Sequence, residues 1–287
     1  NIKNKIISDS ERENLIRTKS VIEYLDPQEL QCMKIISEMN NNNLKKNRVT
    51  HSEIHPSLIL GLMANQIIFP SNNPYPRNAF SCGQSKQAVS LFHTNYQYRM
   101  DKTFLLLHYG QVPFIKSKYY TKLTKNLNPY GVNTIVAIMC YSGYNVEDAI
   151  IVNEGALKRG LFRTTYFSTY ESETENKRVK GVNIENKFLQ ITTEKIIKIK
   201  MDYDYSKLGE NGIIEENEKV NDKTILIGKV KKNQHENFYI DESEVPKKGQ
   251  LGYVDKTFLC DFKDKEKLAK VRIRHDRIPA IGDKFCS

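Results

Sequence analysis

Apolar and polar positions alternate most sharply over Val132–Arg163, VNTIVAIMCYSGYNVEDAIIVNEGALKRGLFR. An apolar run (Thr134–Cys140) leads into a polar stretch (Tyr141–Asp148), a second apolar run (Ala149–Val152) and a short segment closed by Gly160. Short runs rich in Val and Ile, bounded by Gly and Asn, predict buried strands. Asn153 is placed to cap a following helical turn and Gly160 to end it in the left-handed conformation. Glu147 and Asp148 then fall on a tight connection between two strands. Two carboxylates presented in that way suit a hard cation that also carries substrate phosphates. Taken bare, the pair is better explained as solvated acids that help a turn.

The same reading extends along the chain. Asp26-Pro27-Gln28-Glu29 predicts a helix start with an Asp cap, Pro at the first helical position and a capping box, and Leu30, Met33, Ile36 and Met39 mark its apolar face. The Asn/Lys-rich stretch Asn40–Asn47 reads as a linker or exposed loop. His51 and His55 are four apart, but Pro56 pushes His55 out of helical geometry, so a shared metal is not expected. Phe69–Asn78, with three prolines and three asparagines, reads as a rigid loop. A helix is predicted from about Cys82 to Asp101 on the spacing of Val89, Phe92 and Tyr96, with Arg77, Lys86 and Gln87 at its entrance. Cations beside free backbone N–H groups make an anion site, although surface charge explains a lone lysine as well.

Tyr109–Tyr130 interleaves Lys116, Lys118, Lys122 and Lys125 with tyrosines, a pattern that can track a nucleic-acid backbone or serve as a solvated loop. Glu171–Asn186 lacks periodicity and reads as a connector, and Gln234–Lys248 as a loop. Ile196–Lys200, Thr224–Val230, Gly249–Cys260 and Ala269–Arg274 read as strands. Lys270, Arg272 and Arg274 alternate with Val271 and Ile273, so the last strand has one cationic and one aliphatic face.

Charge adds a hint. The 287-residue chain has a net charge of +10 and a pI near 9.2, which favours an anionic partner such as nucleic acid, with Lys/Asn compositional bias as the plain alternative. Five cysteines at scattered positions, with no Cys-x-x-Cys, give no expectation of a zinc site and suit a reducing compartment. No signal peptide and no long apolar run point to export or a membrane. The chain begins without Met and stops after Phe285-Cys286-Ser287, so it reads as an internal fragment of a longer protein.

CYSGYNVEDAIIVNEGALKRGLF, with THSEIHPSLILG, PYPRNAFSCGQSKQAV and RIPAIGDKF in the same order, resembles the second-largest subunit of multisubunit DNA-directed RNA polymerases in its eukaryotic, archaeal and large-DNA-virus form. VIEYLDPQE is similar to it less specifically, and Ser81-Cys82-Gly83-Gln84 departs from the commoner cellular pattern towards large-virus versions. The resemblance implies a mixed α/β, β-rich fold: a hybrid-binding domain with a double-psi β-barrel, incomplete at the C-terminus and interrupted by a wall-like β insertion. The implied divisions are 1–50, the end of an external, fork-proximal region; 51–170, the first part of the hybrid-binding domain; 171–267, the wall-like insertion; and 268–287, the second part. A composition break at each end of the insertion suggests a separately packed module.

By resemblance, Arg77 matches an arginine near the incoming nucleotide's phosphates and Gln87 a glutamine facing the RNA strand. Lys284 matches the first of two active-centre lysines, with the second expected beyond Ser287. Lys86 joins Gln87 and Lys284 as a nucleic-acid contact. Glu147 and Asp148 would assist a second, nucleotide-borne Mg²⁺, through water, while the largest subunit holds the main ion. The implied partners are that subunit, other core subunits, template DNA, the RNA–DNA hybrid and ribonucleoside triphosphates. The implied reaction is template-directed ribonucleotide addition to an RNA 3′ end. The setting would be intracellular, nuclear or, for a viral enzyme, host cytoplasm or virion. Two competing readings are a non-catalytic nucleic-acid-binding scaffold derived from such a polymerase, and a metal-dependent nuclease using Glu147 and Asp148 alone. The second lacks any further acidic cluster nearby.

Overall fold

The computed structural model describes residues 10, 22–37, 49–179, 182–192, 196–197, 199–233, 238–261 and 266–287. The chain divides into two compact units, Asn1–Asn65 and Gln66–Ser287. In the first, α1 (Pro27–Cys32) starts as the sequence predicts. The Asp26 side chain accepts from the Glu29 N–H at 2.7 Å, and Glu29 answers to the backbone of Asp26. The helix stops at Cys32, so Ile36 belongs to a strand and not to its apolar face. Met39 and Asn40–Asn47 lie outside the described residues. Strands β1 (Ile35–Ile36) and β2 (His51–Ser52) pair in parallel. His51 and His55 part company as expected: His51 Nε2 meets Glu23 at 2.8 Å, while the His55 ring accepts from the Ser57 N–H to cap the 3₁₀ turn Pro56–Ile59.

The second unit opens with a 3₁₀ turn (Pro70–Asn72) and α2 (Tyr75–Ser85), followed by β3 (Thr103–Leu107), α3 (Lys118–Thr124) and α4 (Glu154–Lys158). The strands after them are β4 (Thr164–Glu173), β5 (Asn176–Val179), β6 (Val182–Phe188), β7 (Ile196–Ile197), β8 (Lys219–Val220), β9 (Lys229–Asn233), β10 (Tyr239–Asp241), β11 (Gly252–Asp261) and β12 (Lys267–Arg277). They form two five-stranded sheets, in the orders β3-β4-β12-β11-β8 and β5-β6-β9-β10-β7. The architecture is therefore mixed α/β and rich in strand. Residues 171–186, expected as an irregular connector, instead finish β4 and form the β5–β6 hairpin, because Asn176–Val179 finds a ladder partner in Val182–Glu185. Likewise β10 falls inside the expected loop 234–248.

The first sheet is built around β12. It pairs antiparallel with β4 over ten residue pairs, from Leu268↔Glu173 to Arg277↔Thr164, and on its other side with β11. Strand parity sends Ala269, Val271 and Ile273 to one face, where they pack fully buried with Val254, Val220, Leu208, Ile213, Ile214 and Ile225–Ile227. The core thus joins residues 208–227 to β11 and β12. The β11–β12 register breaks between Val254 and Lys256, leaving Asp255 as a bulge. A bulge adds a residue to one strand and re-aims its side chain. Here it turns the Asp255 carboxylate to the face of Arg272 and Arg274. Gly252, at φ +143°, lies so close to Arg274 that a Cβ would collide with its carbonyl.

The predicted strands Thr134–Cys140 and Ala149–Val152 do not form. Both stretches are irregular and face solvent, with Val136 75% and Ile138 99% exposed. An extended run becomes a strand only when another edge satisfies its N–H and C=O groups, and no described residue supplies one. Among the described residues no helix is long and apolar enough to cross a membrane.

Candidate functional site

The candidate residues lie on three separate supports, all within the second unit. α2 begins at Tyr75 behind Pro74, with Pro76 in its first turn, where a missing N–H costs nothing. Its first turn is fastened to the preceding 3₁₀ turn by Asn78, which donates to the Pro70 carbonyl at 2.7 Å. Arg77, the third helical residue, is exposed, and its guanidinium lies 5.8 Å from the Phe80 ring centroid. Ser85 donates back to the Ser81 carbonyl at 2.8 Å as the helix ends, and Lys86 is its C-cap. The helix expected over residues 82–101 is therefore replaced by one that runs earlier and stops at Ser85. Phe92, from an irregular stretch, and Tyr96, from a 3₁₀ turn, which together suggested a helical face, pack on Phe104 instead. In consequence Arg77 sits at one end of α2 and Lys86 and Gln87 at the other, about 14 Å away along the axis at ~1.5 Å per residue. They do not form one anion site at a helix entrance.

Glu147 and Asp148 are the central residues of a turn closed by the Ala149 N–H to the Val146 carbonyl at 3.2 Å. Glu147 takes φ +58°, unusual for a residue with a side chain. The preceding loop holds the turn in place: Asn145 donates to the Met139 carbonyl at 2.7 Å and accepts from the Tyr141 N–H at 3.1 Å, while Ser142 and Gly143 also take positive φ. Among the described residues neither carboxylate makes a hydrogen bond or an ion pair, and both are exposed. The tight connection is as predicted; the strands around it are not. Downstream, Asn153 caps α4 by accepting from the Ala156 N–H at 2.9 Å, and Gly160 turns the chain at φ +103°, with Tyr109 only 2.9 Å from where a Cβ would sit.

Lys284 follows a turn in which Asp283 accepts from the Ala280 N–H at 3.0 Å and pairs with Arg277 at 3.3 Å. Phe285 rests on Phe162 with ring centroids 4.8 Å apart, which ties this segment to the residues after α4. Lys284 is exposed. Among the described residues no hydrogen bond, ion pair or ring contact joins Arg77, the Glu147–Asp148 turn and Lys284 to one another.

Other cations prove to be occupied. Lys270 pairs with Glu171 at 2.9 Å and Arg274 with Asp255 at 3.1 Å, while Arg272 is 1% exposed and pairs with Asp255 at 2.6 Å. The cationic face predicted for β12 is thus a set of ion pairs, not a surface free for phosphate. In Tyr109–Tyr130, Tyr120 is buried inside α3 beneath Lys116 and against Tyr130, so its ring is withdrawn from any stacking role. Strand alternation marked β12 as two-faced, but nothing in the sequence announced that Asp255 would bulge towards it. Among the described residues no group of three His, Cys, Asp or Glu side chains could hold a metal ion unaided.

Residues 63–287 match the family model described as RNA polymerase Rpb2, domain 6. The chain belongs to this family. Its similarity to whole Rpb2-type subunits reaches beyond the domain. It is 37% identical over 291 residues to DNA-directed RNA polymerase II subunit RPB2 of Encephalitozoon cuniculi, covering 96% of this chain and 25% of that protein. It is 37% identical over 276 residues to DNA-directed RNA polymerase subunit Rpo2 of Sulfolobus acidocaldarius, covering 93% and 24%. With DNA-directed RNA polymerase II subunit 2 of Arabidopsis thaliana it shares 34% over 285 residues, covering 94% and 24%. The chain spans about a quarter of the length of these Rpb2 relatives.

Proposed function

We propose that this chain forms part of the active centre of a DNA-directed RNA polymerase, working with the largest subunit in template-directed addition of ribonucleotides to an RNA 3′ end. The observation that carries the proposal is the exposed Glu147–Asp148 turn, braced from behind by Asn145 and with neither carboxylate engaged by any described residue, within a chain of the Rpb2 domain 6 family. Two acids on one turn are too few to cage Mg²⁺, which takes one or two carboxylates and completes its shell with phosphate and water. They do fit an ion that arrives on a nucleotide. Glu147 and Asp148 would hold such an ion through water, and when bound it supplies charge neutralisation at the phosphates. Arg77, at the exposed first turn of α2, would add a charge-assisted contact to phosphate. Lys86, Gln87 and Lys284 would contact the RNA end and the RNA–DNA hybrid.

The exposed runs 134–140 and 149–152 support a further reading of the fold. They would become strands of a double-psi barrel when paired with polymerase segments outside this chain, with residues 171–267 as the wall-like insertion. A nucleic-acid-binding scaffold without catalysis gives no reason for two acids on a braced turn that no described residue engages.

The test is Asp148→Ala in the assembled polymerase, followed by single-nucleotide addition and template binding. Addition is expected to slow by roughly 10²-fold, the loss typical of one electrostatic contact in an active site, with template affinity little changed. Parallel loss of template binding and addition would overturn the metal-assisting role.

A further inference from the structure

Among the described residues Arg272 is the largest fully buried side chain, and every nitrogen of its guanidinium is engaged. Nε donates to Asp255 Oδ2 at 2.7 Å, and Nη2 lies 2.6 Å from the same oxygen. Nη1 donates to the carbonyls of Tyr96 at 2.9 Å and Arg99 at 2.6 Å, and Nη2 to that of Gln97 at 3.3 Å. The guanidinium lies 5.9 Å from the ring centroid of Phe104 and 5.3 Å from that of Phe167. A buried ion pair contributes little more to stability than apolar side chains of the same shape. What distinguishes Arg272 is where its fan of donors goes. All three carbonyls belong to one short stretch, 96–99, and none to the sheet that carries the arginine.

That stretch ends the segment running from Lys86 to Arg99, whose only regular piece is the 3₁₀ turn Tyr96–Tyr98. Side chains and single hydrogen bonds hold the rest. The Leu107 N–H donates to the Ser90 carbonyl at 3.3 Å, Phe92 packs on Phe104 at 4.8 Å, and Tyr96 contacts Phe104 and Phe167 at 6.4 and 6.2 Å. Arg99 is itself fixed by Asp101 at 2.8 Å. The upstream end of the same segment is Lys86-Gln87, just past α2. We propose that Arg272 is a positioning residue that orders the segment carrying Lys86 and Gln87, and so sets where those side chains meet the RNA end. The inference rests on the reading of Gln87 as an RNA contact. Arg272 touches neither substrate nor reacting atoms; it acts through the backbone it grips.

The experiment places Arg272→Lys in the assembled polymerase. Lysine keeps a cation beside Asp255 but cannot span three carbonyls, since it lacks the planar fork. Two readouts are taken: hydrogen exchange of peptides covering residues 86–99, and single-nucleotide addition alone and combined with Gln87→Ala. Exchange in 86–99 is expected to quicken by roughly tenfold while β4 and β12 hold their protection, the pattern of local opening. Addition at saturating nucleotide is expected to slow by roughly tenfold. The doubly substituted enzyme should be scarcely slower than Gln87→Ala alone, since residues acting through one contact are not additive. Unchanged exchange in 86–99 would show that the grip does not order the segment and would overturn the proposal. Faster exchange with fully additive rate losses would overturn it too, leaving Arg272 a purely structural residue. A silent Gln87→Ala would refute the RNA contact itself, and the exchange data would separate that failure from a failure of the grip. Should Arg272→Lys not assemble, Phe92→Leu loosens the same segment without touching the buried charge. It is expected to show the same dependence on Gln87, and additivity there would count against the proposal.

Discussion

At the scale of single residues, Asp26, Asn153 and Gly160 act on backbone groups a few positions away, whereas Arg272 reaches Asp255 and carbonyls within residues 96–99. The Asp26 capping box, the Asn153 cap and the turn at Gly160 depend on neighbours within a few positions, and each formed as expected. Arg272 depends on Asp255 and on carbonyls far away in sequence, so its burial could not be seen. Arg77 stands exposed in the first turn of α2. Arg77→Ala in the assembled enzyme should raise the nucleotide concentration needed for half-maximal addition by about tenfold, with partial rescue by Lys, because ammonium cannot reproduce a two-pronged contact. Unaltered nucleotide dependence in single-addition assays would remove Arg77 from the site. Asp241 offers a separate, pH-based test. Burial pushes its carboxyl up, but hydrogen bonds from Ser243, Tyr205 and the Lys200 N–H outweigh that and hold it below the usual range. A carboxylate lowered on folding stabilises above its unfolded pKa, about 3.9, and that stabilisation fades as pH falls through the lower folded value. Urea midpoints of the chain should therefore drop below about pH 4, and Asp241→Asn should flatten that part of the profile while lowering stability at pH 7.

Between elements, the decisive variable was a partner edge. Residues 269–274 and 134–140 both read as strands, but only the former lie between two neighbours, β4 and β11. The same contrast supplies a prediction. Ile273→Ala empties a buried site and should cost about 2–4 kcal/mol of unfolding free energy. Ile138→Ala, at a side chain in solvent, should change it by less than about 0.5 kcal/mol. Equal losses in urea denaturation would mean that residues 134–140 are buried in the chain as it exists in solution. The helix expected over residues 82–101 does not form for a related reason. Phe92 and Tyr96 have helical spacing, yet they serve the aromatic cluster of Phe104 and Phe167, and tertiary packing overrides a short periodic signal.

For the whole molecule, the shared core decides what can be separated from what. Val220 and Ile225–Ile227 pack against Val254, Val271 and Ile273. Excising residues 171–267 and bridging the gap removes β11 from the ladder and uncovers the aliphatic face of β12. The bridged chain is expected to lose the cooperative unfolding of the second unit and to bind more hydrophobic dye than the intact chain does. A product that unfolds cooperatively and binds no more dye than the intact chain would mean that the first sheet is self-sufficient. Composition suggested a detachable insertion because it registers where charge and turns change, not which side chains meet across the break. The bulge at Asp255 carries this dependence into heredity. A regular β11–β12 ladder has no place for the extra residue, so its codon could be lost without disturbing the pairings on either side. Arg272 would then keep its buried charge with no counter-ion. Lineages that straighten the strand are accordingly expected to replace the arginine as well, and the two positions should change together in aligned descendants, like the two halves of a single inherited character.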